Sequence, residues 1–404
     1  MKQLLFPDDN QFWFETLRLF GNASYGGTDF GEVLAAAGQV TPGDYDSWHD
    51  VYEGLALRLE KEADGSHGVT RRDLLVRASS YHFTAGFFLH ANPSDPRVGA
   101  TYDDARRCFH CAADLFDPPI EPIEIPYEGT VLEGYFYKAS GQGPRPLVVM
   151  HSGLDGGAEE LHFQGAAAGR EHGYHVLTFD GPGQPSAIRR GLTFRPDWEN
   201  VIGPVLDAVA ERDDVDHERI ALWGMSFGGY LAPRAAAFEP RLSAVVACDG
   251  IYDAAATITG ALPWDRADID RRVQCADEEL LSALATMRAT NSTARWAFDH
   301  GRYVLGATSD LEFLAKLRAY YLGCAVAEQI KCPVLVCEAA GDLFFTGRPG
   351  GPRDLYDHLS GPKTLLTFTA EEGADAHCHV GAARLLTGRV YDWLDTALSR
   401  TSTP

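Results

Sequence analysis

Three side chain types in one chain order suggest a chemistry. Ser226 lies in Gly224-Met225-Ser226-Phe227-Gly228-Gly229, directly after the apolar run 220–223. This is a G-x-S-x-G pattern entered from a buried strand and left through a helix-compatible run at 230–238. A serine there stands on a sharp strand-to-helix turn that lifts its hydroxyl above a sheet. The glycines follow from the geometry, because backbone presses on backbone and a Cβ would clash. The helix start also directs free N–H groups toward a developing oxyanion. A hydroxyl is a weak nucleophile unless a base takes its proton and an acid orients that base.

In this architecture the acid and the base follow the serine, each in a loop after a strand. Asp342 follows the apolar run 334–338, and His377 follows the run 365–368. Ser226, Asp342 and His377 therefore match in type, order and loop position. His379 is an alternative base, and Asp249, just after the apolar run at 244–248, an alternative acid. Two N–H groups are expected to form the oxyanion hole, those of Leu154 and Phe227, with Gly153 as the alternative to Leu154. Asp155, Glu159 and Glu160 lie in or beside the same loop and read as helix caps. The segment Phe179-Asp-Gly-Pro-Gly-Gln184 lacks G-x-G-x-x-G and G-K-[ST], so it reads as a tight turn shaping a pocket wall. No metal motif is present, and neither metal nor cofactor is expected.

The elements that must position these residues are legible from periodicity. Residues 1–118 carry helical signals: Phe12, Trp13, Leu17 and Phe20, then Val51, Leu55 and Leu59. Asp46 or Ser47 is expected to cap the second of these helices, and Thr70 a third. A fourth is expected at about 101–115. The aromatic residues here (Phe12, Trp13, Tyr25, Trp48, Tyr81, Phe87, Phe88) read as core. From residue 119 the pattern alternates: strands at 120–127, 130–138, 146–151, 174–179, 220–223, 244–248, 334–338 and 365–368, with helices between them. A helix is expected from Gly153 to Ala167, another at 195–212, and a C-terminal one at 380–398. The fold class is α/β, a mostly parallel sheet with helices on both faces. The helical run at about 250–330 reads as a lid over the strand ends, where ligands bind in such sheets.

These motifs together resemble the α/β-hydrolase family. The resemblance spans most of the chain: a helical N-terminal domain, Gly153-Leu154 to Glu159-Glu160, Phe179–Gln184, Gly224–Tyr230 and the closing pair His377-Cys378. It is similar to the subgroup of dihydroxypseudooxynicotine hydrolase and the fungal hydrolases that shorten pigment polyketides. His151-Ser152 departs from the smaller or apolar lead-in expected there. The resemblance favours His377 over His379 as the base. It implies cleavage of a carbon–carbon bond next to a ketone, or of an ester, in an aromatic or polyketide-like molecule. Acyl transfer or cyclisation on the same fold, general carboxylesterase activity and a non-catalytic binding protein are the alternatives.

Composition bounds the partners. In 404 residues, 35 Lys and Arg stand against 57 Asp and Glu, a net charge of −22. That excess argues against nucleic acid and anionic membrane, leaving a small-molecule substrate. The start of the chain lacks the apolar run of a signal peptide, and no stretch reaches membrane-spanning length. Eight scattered cysteines suit a reducing, cytoplasmic setting. Cys108 and Cys111 have C-x-x-C spacing but no second pair, and read as packing residues. The N-terminal helical domain offers a surface for a homodimer.

Overall fold

The fold begins with the sheet that carries the strand-end loops. The computed structural model describes residues 3–399. Its strands are β1 (Ile120–Tyr127), β2 (Thr130–Tyr137), β3 (Arg145–His151), β4 (His175–Phe179), β5 (Val215–Met225), β6 (Ala244–Cys248), β7 (Val334–Ala339) and β8 (Lys363–Phe368). They form one eight-stranded sheet in the order β1-β2-β4-β3-β5-β6-β7-β8. The β1–β2 and β2–β4 pairs are antiparallel, and every pair from β4 to β8 is parallel. The central strands read as unbroken apolar runs because both faces are covered. Val149, Leu222 and Val245 pack on one face, and Val148, Trp223 and Val246 on the other.

The N-terminal residues form α1 (Asn10–Asn22), α2 (Phe30–Ala37), α3 (Tyr45–Asp64), α4 (Gly68–Gly86) and α5 (Pro96–Ala113). Their core is an aromatic cluster in which Trp48 meets Phe12 at 4.9 Å and Phe88 at 5.0 Å between ring centroids. Five helices between β6 and β7 cover the strand ends: Ala254–Thr259, Arg266–Gln274, Glu278–Thr290, Ser292–Leu305 and Asp310–Leu317. Among the described residues no helix is long and apolar enough to cross a membrane.

Several expected boundaries move, each for a local reason. Asp44, not Asp46 or Ser47, caps α3 by accepting from the N–H groups of Asp46 and Ser47. Thr70 lies inside α4, whose cap position is His67 with no side-chain cap bond. Asp95 caps α5 and Pro96 opens it, so the helix starts earlier than its apolar periodicity indicates. The helix expected from Gly153 is absent. The chain stays irregular there, and a short π-turn at His162–Ala166 leads into Ala167–Glu171. Side chains expected to cap that helix instead make long-range contacts. Glu160 and Asp155 pair with Arg18 of α1, and Glu159 accepts from Tyr135.

These Arg18 contacts dock α1 onto the strand-end loops. Its Nε lies 2.5 Å from Glu160, and its Nη1 lies 3.2 Å from Asp155 and 3.3 Å from Glu15. One guanidinium thus serves three carboxylates, with five donors in a rigid fork. A little further along α1, Gly21 approaches Gly381 so closely that a Cβ would stand 2.7 Å from its backbone nitrogen.

Glu15 is buried, and burial lifts its carboxyl from 4.5 to about 8 against the pull of Arg18. The folded chain therefore holds a proton that the unfolded chain releases, and stability falls as pH rises from 4.5 through about 8. Thermal melts between about pH 6 and pH 9 should show this decline in the wild type. Glu15→Gln, which carries no titrating proton, should flatten it. Parallel melting curves for the two proteins would contradict the assignment.

Candidate active site

The turn at Ser226 is built by close backbone contacts. Ser226 has φ +57°, a left-handed conformation that side chains other than glycine rarely adopt. The turn is held on both sides: Ser226 N–H donates to Cys248 O at 3.1 Å, and its C=O accepts from Gly229 N–H at 2.7 Å. Gly224 is required sterically, since a Cβ there would lie 2.0 Å from Gly228 O. Helix Gly228–Ala236 follows at once.

The structure brings Ser226, His377 and Asp342 together. His377 Nε2 stands 2.7 Å from Ser226 Oγ, and His377 Nδ1 stands 2.7 Å from Asp342 Oδ2. The hydroxyl donates to Nε2 while Nδ1–H donates to the carboxylate. The other oxygen of Asp342 accepts from the N–H groups of Phe344 and Phe345 at 2.7 and 3.1 Å, which fixes the carboxylate plane. His377 and Asp342 are both buried.

The two alternative residues occupy the same cluster in other roles. Asp249 Oδ2 lies 3.1 Å from His377 Nδ1 and also accepts the Cys378 N–H. His377 therefore has two carboxylates on one nitrogen, the nearer being Asp342. His379 hydrogen-bonds Ala374 O at 3.0 Å and sits 3.7 Å from Asp249 Oδ1, so Ser226 is not among its partners. Burial pulls the His377 imidazole down, but Asp342, then the Cys378 sulfur and Asp249, outweigh it and hold it well above 6.5. Burial also raises the Asp249 carboxyl, but His379 and His377 bring it below 3.8.

The loop of the expected oxyanion hole is held from two sides. Gly153 packs against the serine turn: a Cβ on it would stand 2.6 Å from Phe227 N and 2.7 Å from Ser226 Cβ. Gln184, fully buried, donates its amide to Ser152 O at 2.6 Å and to Gly153 O at 3.4 Å, and accepts from Gly181 N–H. A trans peptide points its N–H opposite its C=O. Gln184, by drawing the Gly153 carbonyl to itself, turns the Leu154 N–H the other way. On the next peptide, His300 Nε2 donates to Leu154 O at 2.8 Å, and His300 Nδ1 lies 3.0 Å from His90 Nδ1. This tautomer makes His300 Nδ1 an acceptor and His90 the donor. Burial keeps both rings neutral, lowering His90 to about 3. The helix Ser292–Leu305 and the N-terminal helices thus both bear on this loop.

A cavity opens over Ser226. Its walls are largely apolar and aromatic, including Phe14, Phe227, Trp296, Phe313, Phe344 and Phe345, with Arg18, Asp155 and Gln164 as polar groups. Phe14, Arg18 and His300 are not singled out by the sequence, and Gln184 reads there only as the end of a turn. The spacing of Phe14 and Arg18 gives a signal: i and i+4 on one face of α1, opposite the core residue Phe12. Gln184 closes a turn whose hydrogen-bonding task shows only in three dimensions.

Comparison with known proteins agrees with this architecture. A family described as Esterase FrsA-like matches residues 60–257. Hydrolase LUC6 from Fusarium sp is 34% identical over 403 residues, covering 95% of this chain and 96% of its own. The 20-hydroxy-prefusarin hydrolase FUS2 from Gibberella moniliformis is 32% identical, covering 96% of each chain. Alpha/beta hydrolase psoB from Aspergillus fumigatus is 35% identical over 95% of this chain and 92% of its own. The crystal structure of the 2,6-dihydroxy-pseudo-oxynicotine hydrolase superposes with a TM-score of 0.73 and 22% identity, over 94% of this chain and 95% of that one, a likeness of fold.

A base must be deprotonated to accept the serine proton. With His377 raised, the acidic limb of kcat/KM should therefore lie above 6.5. Asp249→Asn removes one of the charges that raise His377, so the limb should move to lower pH. Asp342→Asn removes the larger one and should also lower kcat by about 10⁴-fold, since the imidazole loses its orienting partner. A limb that Asp249→Asn leaves in place would contradict the shared-carboxylate account.

Proposed function

The chain belongs to the α/β-hydrolase family and is a hydrolase like its fungal relatives; from that premise we propose that Ser226, His377 and Asp342 act as nucleophile, base and orienting acid. The observation that carries this reading is the continuous pair of 2.7 Å hydrogen bonds from Ser226 through His377 to Asp342. The substrate we propose is an aromatic or polyketide-like ketone, cleaved at the carbon–carbon bond next to its carbonyl. The aromatic walls of the cavity suit a flat apolar ligand. The relative FUS2 carries 20-hydroxy-prefusarin in its name.

The steps follow from the positions of the groups. His377 Nε2 takes the hydroxyl proton as Ser226 Oγ attacks the carbonyl carbon. The N–H groups of Phe227 and Leu154 receive the developing oxyanion. On collapse of the tetrahedral intermediate, the carbon–carbon bond breaks, and the leaving carbanion, delocalised as an enolate, takes the proton held by His377. Water then enters, loses a proton to His377 and releases the acid from Ser226. Two carboxylates near Nδ1 stabilise the imidazolium that both halves require. Ester hydrolysis uses the same steps with an alkoxide as leaving group. The match to an esterase-described family favours it as the second reading.

A panel of aryl 1,3-diketones and matched aryl esters, with product masses read out, tests the substrate class. The ketones should give a shorter ketone and an acid that carries one heavy oxygen from labelled water. A lactone or other cyclic product without label would point to internal capture of the acyl group. Ser226→Ala should lower kcat by at least about 10³-fold. Retained turnover in that variant would overturn the triad.

A further inference from the structure

Behind His377 lies a cluster of soft ligands that the hydrolytic steps leave unused. The Cys248 and Cys378 thiols and an Asp249 carboxylate oxygen all lie within 4.8 Å of one another. Chain order conceals the cluster. Cys248 ends β6 and Asp249 follows it, whereas Cys378 arrives from the turn after β8. Cys337 of β7 is the cross-strand neighbour of Cys248 and adds a third thiol beside it.

Two further features point to a ligand. Asp249 Oδ1 is fully buried, and among the described residues it accepts no hydrogen bond. His379 Nε2 stands 3.7 Å from it, beyond hydrogen-bond length, so this oxygen keeps a lone pair for an ion. Cys378 also lines the cavity over Ser226, which gives a small ion a route from solvent.

We propose that Cys248, Cys378 and Asp249 form a capture site for a soft divalent cation such as Zn²⁺ or Cd²⁺, which inhibits the enzyme from behind its histidine. Thiolate and carboxylate donors are the set that zinc and cadmium prefer over harder cations. Binding replaces two thiol protons by the ion, so two protons leave for each ion bound and affinity rises with pH. Two thiolates and a carboxylate leave one negative charge on the loaded site, beside the His379 ring 3.7 Å from Asp249 Oδ1. Asp249 Oδ2 now serves His377 Nδ1 and the Cys378 N–H. An ion that draws on this carboxylate and on the Cys378 thiol moves the segment carrying His377. Ion binding stands apart from the proposed reaction; only the inhibition rests on it.

The test titrates Cd²⁺ into the reduced, full-length enzyme. The wild type should show thiolate-to-cadmium charge-transfer absorption in the ultraviolet at one ion per chain. Activity should fall in parallel and return on adding a chelator. Cys248→Ala should lose that absorption and, measured against its own ion-free activity, need at least tenfold more Cd²⁺ for inhibition. If the variant does not fold, cadmium NMR of the wild type decides the question, since a two-sulfur site has its own chemical shift. Equal absorption in Cys248→Ala would place the ion on the exposed thiols Cys111, Cys275 or Cys324 and overturn the site. A wild type that binds no ion, or a shift lacking sulfur ligands, would also overturn it. If ion binding is normal but Ser226→Ala is fully active, the capture site stands and the triad falls.

Discussion

One buried imidazole, hydrogen-bonded at both ring nitrogens, is the constraint to which the rest of the molecule answers. His377 must meet a hydroxyl from the end of β5 and a carboxylate from the loop after β7, each at 2.7 Å. Bonds of that length tolerate little displacement, and a buried charge without its partner is costly. The sheet therefore places three strand ends side by side, and glycine lets the backbone close in around them. Gly224 touches Gly228, and Gly153 touches Phe227 and Ser226. The second carboxylate, Asp249, adds to the field on the imidazole while holding the backbone N–H of Cys378.

The helical layers complete what the sheet begins. Arg18 of α1 reaches Asp155 and Glu160 on the loop that carries Leu154. His300, from the helices between β6 and β7, reaches the Leu154 carbonyl and meets His90 of the N-terminal helical region. Three parts of the chain thus converge on one loop, and their aromatic side chains wall the cavity. Gln184 ties the same loop to the turn after β4. The pocket is largely apolar, but its shape is set by these few polar bonds.

Much of this was legible in the sequence, and the rest failed for identifiable reasons. The parallel strands announced themselves because strands covered on both faces are apolar throughout. Ser226, Asp342 and His377 were legible through residue type, order and position after strands. Asp249 and His379 could not be sorted from them by order alone, since their roles depend on which atom faces which. The run Ala158-Glu159-Glu160 has helical propensity, yet it stays irregular because its acids are claimed by Arg18 and Tyr135. The start of β5 was missed because Asp216, His217, Glu218 and Arg219 lack an apolar pattern, and its first residue pairs only with Arg145 across a register shift. Gln184, His300 and the thiol cluster each work through partners more than twenty residues away, which no local pattern records.

The central claim is that the Ser226 hydroxyl is activated by His377. Treating the enzyme with a fluorophosphonate and mapping the adduct by peptide mass spectrometry tests it most directly. The wild type should carry a single adduct on the peptide containing Ser226, and His377→Ala should label far more slowly at the same serine. An unlabelled Ser226, or equal labelling rates in the two proteins, would contradict the account.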